Sequence, residues 1–330
     1  MIISKSDAII RKLSRYIFVF KCKLIILTMF ALAPLCASAQ YDVNFAHYFD
    51  MEPWFNPASV GKEDKLNVTV AYAMDLAGFE HNPKTMYAAG DLPFYLLRQY
   101  HGVGVQLMND QLGLFTHQRL GVQYAFRHKL FGGKIAAGAQ LTLLSEKFDG
   151  SKLDIEDTSD PAFTKSSIDG SGFDVGVGVY YQRGPWYAGV SGQHLNAPTV
   201  RLGETSEIKI DPSFYLTGGY NIKLRNPFLN IKTSFLVRTD LVAYRGDVTA
   251  RLVYTNDTKM MYGGLSYSPT NSITILIGGK FHGVVLGYSY EYYTTPINPG
   301  NGSHELYAGY QVDIDFQKKG RNKHKSVRIL

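Results

Sequence analysis

Beyond residue 39 the sequence has no cysteine, because its only two, Cys22 and Cys36, lie in the N-terminal stretch. Disulfides, thiolate metal sites and cysteine nucleophiles are therefore excluded together from the remainder. That remainder also lacks any apolar run approaching the ~20 residues a helix needs to cross a bilayer. The nine histidines form no His-Glu-x-x-His pair, and neither a Gly-x-Ser-x-Gly elbow nor a phosphate loop occurs. Ser191 or Ser289 could meet a histidine only across strands, where such residues ordinarily serve as turn or cross-strand groups. The expectation is a protein that is not an enzyme, with no cofactor and no metal.

A uniform excess of charge is lacking too. The chain carries 34 basic and 28 acidic residues, but six of the basic and one of the acidic lie in residues 1–39, leaving 28 against 27. Six more basic residues, Lys318, Lys319, Arg321, Lys323, Lys325 and Arg328, crowd into 317–330, so the body has 22 basic against 27 acidic. Basicity confined to the two ends argues against a nucleic-acid partner.

What is present begins with an address. Arg11, Lys12, Arg15, Lys21 and Lys23 precede the apolar run Leu24 to Leu35, which is followed by Ala37-Ser38-Ala39 and Gln40. That order is a secretory signal, with cleavage expected after Ala39. The run is short for a retained membrane helix, and Pro34 and Leu35 stand where small residues should precede a lipidated Cys36.

Glycine is abundant at 32 residues and aromatics reach 13 %, a combination that suits many strands and tight turns. Leu66, Val68, Val70 and Tyr72 alternate with Asn67, Thr69, Ala71 and Ala73. Ile135 to Leu143 and Phe173 to Tyr181 repeat the pattern, with Gln140 and Thr142 on the second face of the former. Segments of this kind recur to give about fourteen strands at roughly 20 residues per strand and connection, as a membrane barrel requires. With the N-terminus in the periplasm, Arg183-Gly184, Asn256-Asp257 and His282-Gly283 become tight periplasmic turns, and 149–171, 196–212 and 294–302 become long loops at the other end. A soluble β-sandwich is the alternative, but the asymmetry of connections favours an all-β transmembrane antiparallel barrel. The expected organisation is a signal peptide (1–39), an N-terminal segment (40–64), the barrel (65–316) and a basic periplasmic tail (317–330), which is free to meet an acidic partner or outer-membrane lipid. In the final strand Leu306, Ala308, Tyr310, Val312, Ile314 and Phe316 share one face, and Gln311, Asp313 and Asp315 share the other.

Two stretches are candidates for partner binding. Tyr41 to Phe55 holds Phe45, Tyr48, Phe49, Trp54 and Phe55, too many aromatics for a free tail. It is expected to pack in or beneath the barrel and so to plug the lumen, with docking of a periplasmic partner through Trp54 and Phe55 as the alternative. The acidic connection with Asp154, Glu156 and Asp157 lacks the spacing of a calcium loop and reads as a solvated surface available to a secreted partner.

Four stretches then resemble one family in order along the chain. Asn56-Pro57-Ala58-Ser59-Val60-Gly61 is similar to the N-terminal signature of the PorP/SprF family of type IX secretion system membrane proteins. His101 to Val105 with Asn109-Asp110 and Gly113, Phe173 to Leu195, and Gly302-Ser303-His304-Glu305-Leu306 resemble its third strand, central hairpin and last strand. The resemblance runs from about Gln40 to about Phe316; the basic tail and the acidic loop depart from it. It implies an outer-membrane accessory of the type IX machinery of Bacteroidota. Such a protein supports secretion or surface attachment of a cargo bearing a C-terminal sorting domain, in some members a gliding adhesin, alongside other secretion components. The rival expectation is a pore for small or apolar solutes lined by Gln140, Gln182 and Gln311, and a third is a purely structural anchor.

Overall fold

The computed structural model describes residues 42–152, 167–203, 206–257, 259–269, 271–295 and 301–314. The leader, the acidic stretch with Asp154, Glu156 and Asp157, Phe316 and the basic tail lie outside the described residues. Fourteen antiparallel strands close into one barrel. In chain order they are β1 (Lys65–Met74), β2 (Lys84–Leu96), β3 (Gln99–Leu112), β4 (Phe115–Leu130), β5 (Gly133–Asp149), β6 (Ser167–Arg183), β7 (Trp186–Gln193), β10 (Ser213–Lys223), β11 (Leu229–Thr239), β12 (Tyr244–Asn256), β13 (Lys259–Ser268), β14 (Ser272–Phe281), β15 (Val284–Tyr293) and β16 (Ser303–Asp313). β16 returns to pair with β1, Leu66 opposite Val312 and Tyr72 opposite Leu306. Closure leaves no unpaired edge, which is what permits strands to sit in lipid.

The alternation read from the sequence becomes the two faces of the wall. Val68, Val70, Leu141, Leu143, Val175 and Val177 are exposed on the outside, whereas Ala71, Ala73, Gln140, Thr142 and Asp174 are buried within. Exposed apolar side chains around the whole circumference are the signature of a wall solvated by hydrocarbon. Aromatics edge this belt at both ends, Tyr100, Phe131, Trp186 and Phe281 at one and Tyr244, Tyr267 and Tyr292 at the other.

The connections separate as expected. At the turn end, where β1 begins and β16 finishes, the joins are Leu97-Arg98, Phe131-Gly132, Gly184-Pro185, 224–228, 257–258 and His282-Gly283. At the loop end the longer joins follow β1, β5, β7 and β15, and shorter ones follow β3, β11 and β13. Several bounds change. β5 runs to Asp149 and β6 begins at Ser167, so both ends of the loop expected at 149–171 are strand; Arg183 and Asn256 close their strands, so the turns begin one residue later; and the last strand ends at Asp313, before Ile314. Gly113 takes φ +61° and makes a two-residue turn with Leu114, so β4 starts at Phe115. The connection 196–212, read as a plain loop, contains the hairpin β8 (Thr199–Leu202) and β9 (Ser206–Lys209), whose Val200 packs with Ile210 on Leu144 of the inner wall.

Candidate functional site

Residues 42–62 run through the barrel interior from the loop end to the turn end before the chain reverses into β1. Two single-turn 3-10 helices, Glu52–Trp54 and Pro57–Ser59, each opened by a proline near its start, kink the segment into a compact thread. Phe45, Tyr48, Phe49, Met51, Trp54 and Phe55 are buried against wall residues that include Tyr87, Met108, Tyr215, Leu236, Val253 and Tyr307. Each such side chain contributes about 1.5–3 kcal/mol relative to exposure. Trp54 meets Phe45 edge-on at 5.6 Å and Phe55 stacks on Tyr215 at 5.7 Å. The side chains of both of these partner-binding candidates therefore face the lumen.

The turn-end anchor is the motif Asn56 to Gly61. Asn56 is fully buried, and its Oδ1 accepts from Ala58 N at 3.0 Å while its Nδ2 donates to Val179 O at 3.2 Å. Arg127 of β4 donates to Val60 O at 2.6 Å, and Asp91 of β2 accepts from Gly61 N at 2.6 Å. Gly61 takes φ +62°, which lets the chain swing from the thread into β1. The wall under this motif is bare: a Cβ on Gly138 would stand 2.6 Å from Ala58 Cα, one on Gly102 2.7 Å from Val60 C, and one on Gly189 2.8 Å from Asn56 Nδ2. Glycines on β3, β5 and β7 thus form a footprint for the motif.

The loop-end anchor is Asp42. Its carboxylate accepts from Arg119 Nη2 at 2.7 Å and from the Tyr215 hydroxyl at 2.5 Å, and meets His194 Nε2 at 3.1 Å, while Arg238 Nη1 donates to Asp42 O at 2.8 Å. His194 also pairs with Asp174 at 3.1 Å. Strands β4, β10 and β11 and the residue just past β7 therefore converge on one residue of the thread. Between the anchors, Glu305 accepts from Ala46 N at 2.6 Å, His47 N at 3.0 Å and His47 Nδ1 at 2.6 Å. Tyr48 donates to Thr249 at 3.0 Å, Gln193 donates to Trp54 O at 2.8 Å and Ser191 to Phe55 O at 2.7 Å. The buried backbone of the thread, which joins no strand ladder, is satisfied by its own tight turns, such as Asp50 N to His47 O and Trp54 N to Met51 O, both at 2.9 Å, and by side chains of the barrel.

The second motif, Gly302 to Glu305, works at the loop end. Gly302 takes φ +62° and its carbonyl accepts from Ala77 N at 2.7 Å; Ser303 Oγ accepts from Leu76 N at 2.9 Å. These bonds tie the β1–β2 loop to the start of β16. His304 turns to Tyr288 at 2.8 Å, whereas Glu305 points inward to hold the thread. In the same loop, burial pushes the Asp75 carboxyl up to about 7, with Glu291 and Glu305 adding to the shift. Ser191, considered above as a nucleophile, is occupied by Phe55 O. Among the described residues, no group of three or more His, Asp and Glu could hold a metal. A cavity of about 230 Å³ lies under the thread toward the turn end, lined by Met51, Lys62, Asp91, Lys232, Arg251 and Gln311 among others.

Sequence comparison decides what barrel this is. The model of the family described as "Type IX secretion system membrane protein PorP/SprF" matches residues 37–310, most of the chain. The chain belongs to the PorP/SprF family. Both motifs quoted above fall within the match, and the two ends of the lumen thread are built on or beside them. No curated protein shows significant sequence similarity to this PorP/SprF member. Among solved structures it is similar to a Pseudomonas aeruginosa FadL homologue, with 13 % identity, a TM-score of 0.49 and coverage of 79 % of this chain and 93 % of that one. It is also similar to the Pseudomonas putida toluene transporter TodX (10 %, TM-score 0.45, 83 % and 93 % covered) and to BamA from Haemophilus ducreyi lacking POTRA domains 1–3 (10 %, TM-score 0.41, 75 % and 70 % covered). At these scores the likeness carries no functional argument. The family and the closed barrel make this an outer-membrane protein of the type IX secretion system.

Proposed function

We propose that the barrel is a closed receptor of the type IX system, which supports secretion or surface attachment of a cargo with a C-terminal sorting domain and offers its loop end as the working surface. The observation that carries the reading is the lumen thread, pinned at Asp42 and at Asn56–Gly61 by bonds from both halves of the barrel. A barrel whose interior is filled by its own chain acts through its rim and loops. With both ends of the wall, β1 and β16, starting and finishing at the turn end, that end faces the periplasm, where other secretion components reach it, and the long loops face outward. The pore reading finds less support. Gln140 is engaged with Gln123 at 2.6 Å and Thr142 at 2.7 Å, and Gln123 also donates to Pro53 O of the thread. Gln182 stands exposed at the turn-end rim, and Gln311 faces the cavity under the thread.

The test is mass spectrometry of outer-membrane and secreted fractions from a clean deletion and its parent strain. One or a few large proteins bearing a sorting domain should vanish from the surface of the deletion strain. Unchanged fractions in both strains would remove the secretion role.

A further inference from the structure

The lumen thread leaves one set of inward charges unused. Lys129 of β4 lies two residues beyond Arg127, which donates to Val60 O, and Lys134 of β5 lies two before Ala136, which packs on Ala58, so both face the mouth of the lumen and not the bilayer. Lys223 of β10 and Lys232 of β11 likewise share the parity of Tyr215 and Leu236, whose side chains pack on the thread. All four stand within three residues of the turn-end terminus of their strand. Among the described residues none of the four is in an ion pair. Lys129 is directly opposite Lys134, and Lys232 is directly opposite Arg251, whose charge Asp50 takes up at 3.3 Å. Like charges facing each other across a ladder destabilise it unless an anion lies beside them. The acids of this end are engaged elsewhere: Asp91 accepts from Gly61 N and Asn67, Glu63 accepts from Gln311, and Asp313 pairs with Lys65. At the loop end the inward parity is acidic instead, with Glu146, Asp174, Asp247 and Glu291 all buried.

The spread of these cations and the groups between them decide the occupant. From β4 to β11 is five strand spacings, about 24 Å along the wall, farther than one small anion reaches. Lipid headgroups lie on the other side of the wall from them. Three of the lysines have an amide side chain directly opposite: Gln182 faces Lys134, Asn221 faces Lys232 and Asn230 faces Lys223. Cations interleaved with amides match an extended polypeptide, whose carboxylates meet the first and whose backbone meets the second. Two recesses open on the same arc, a groove beside Lys129, Lys134 and Gln182, and the cavity of about 230 Å³ that Lys232 lines. Arg251 Nε and the Tyr262 hydroxyl, on residues lining that cavity, are buried with no hydrogen-bond partner among the described residues. On the reading that the turn end faces the periplasm, we infer that this mouth docks an extended acidic segment of a periplasmic protein, held by Lys129, Lys134, Lys223 and Lys232. The complementary charge speeds encounter with such a segment, and the acidic loop end turns it away.

The full chain in nanodiscs of phosphatidylcholine, which leave both ends open, is titrated against a fluorescein-labelled peptide of about twelve residues alternating glutamate and glycine. Fluorescence anisotropy should show saturable binding to the parent that is lost at about 1 M salt. The triple variant Lys129→Gln, Lys134→Gln, Lys232→Gln should bind about ten-fold more weakly. The triple variant Lys84→Gln, Lys147→Gln, Lys209→Gln, which removes the same charge from the loop end, should bind as the parent does. A benzophenone on the peptide should cross-link the parent at the strand ends around Lys129 and Lys232, a mapping that needs no variant. No binding by the parent, an equal loss in both triple variants, or cross-links at the loop end overturns the site. So does displacement of the peptide by inorganic phosphate at matched charge, which would mean a site for small anions. None of these readouts depends on cargo display, so the docking site and the receptor role fail separately.

Discussion

A barrel from which residues 40–61 are deleted, residues 1–39 being joined directly to Lys62, should conduct ions in planar bilayers where the full chain does not. The physical reason lies in how the wall and the thread are built. Every strand of the wall is paired with another strand, so its ladders survive removal of the thread. The inner face left behind carries Arg119, Gln123, Arg127, Arg238, Arg251 and Glu305, which water solvates readily once Asp42, Pro53, Val60, Asp50 and His47 no longer occupy them. Fourteen strands stand between the eight-stranded barrels that side chains fill and the 16–18-stranded barrels that hold a channel, so an emptied lumen of this size fills with water. Discrete conductance steps from the deleted chain, with a silent parent, are the expected record. A parent that conducts as well as the deletion would mean that the thread does not close the barrel.

The second large effect is expected from the glycine footprint. Gly138→Leu or Gly102→Leu places a side chain where Ala58 and Val60 run, and backbone cannot step aside as the tip of a flexible side chain can. Overpacking of this kind costs about 1–3 kcal/mol when the surroundings relax, and here relaxation means release of the turn-end anchor. Limited proteolysis of the folded, reconstituted protein should then cut within 42–62, whereas the parent is resistant. Gly263→Ala supplies the comparison: it lies in β13 with nothing within 4 Å of the added Cβ, and it should leave the parent's resistance intact. Cleavage in the Gly263 variant, or resistance in both footprint variants, would show that the bare glycine footprint is not what holds the segment.

Much of the wall was legible because period-2 alternation survives in each strand. Leu66, Val68 and Val70 opposite Asn67, Thr69 and Ala71 declare two faces before any partner strand is known, and the short turns at Arg183-Gly184 and His282-Gly283 bound their strands locally. Strand ends were less legible. Gly113 sits in a two-residue turn at the loop end, and nothing local separates it from the strand that follows. The hairpin β8–β9 was missed because two four-residue strands carry too little alternation to stand out, and Val200 is explained only by Leu144 on a strand far away in sequence. For the site, the aromatic count of Tyr41–Phe55 pointed to a packed segment, and Asn56-Pro57-Ala58 to a fixed turn. The constellation around Asp42 was invisible, since Arg119, His194, Tyr215 and Arg238 are brought to it only by barrel closure. A signal for it existed: Arg119, Arg127, Arg238 and Arg251 fall on the inward parity of strands whose other face is apolar, and charges so placed require partners.

The central claim, that this PorP/SprF barrel acts closed, is tested most directly by locking the thread in place. The carbon Asn56 Cγ lies 3.0 Å from the position of a Cβ on Gly178, close to the ~3 Å between a Cβ and the far sulfur of a disulfide. The pair Asn56→Cys with Gly178→Cys therefore suits a cross-link, in a chain whose own cysteines stand only at positions 22 and 36. Display of the sorting-domain cargo is then measured in cells with the pair oxidised and with it reduced. The account predicts equal display in both states; display lost on oxidation and regained on reduction would mean that the thread must leave the lumen for the protein to work.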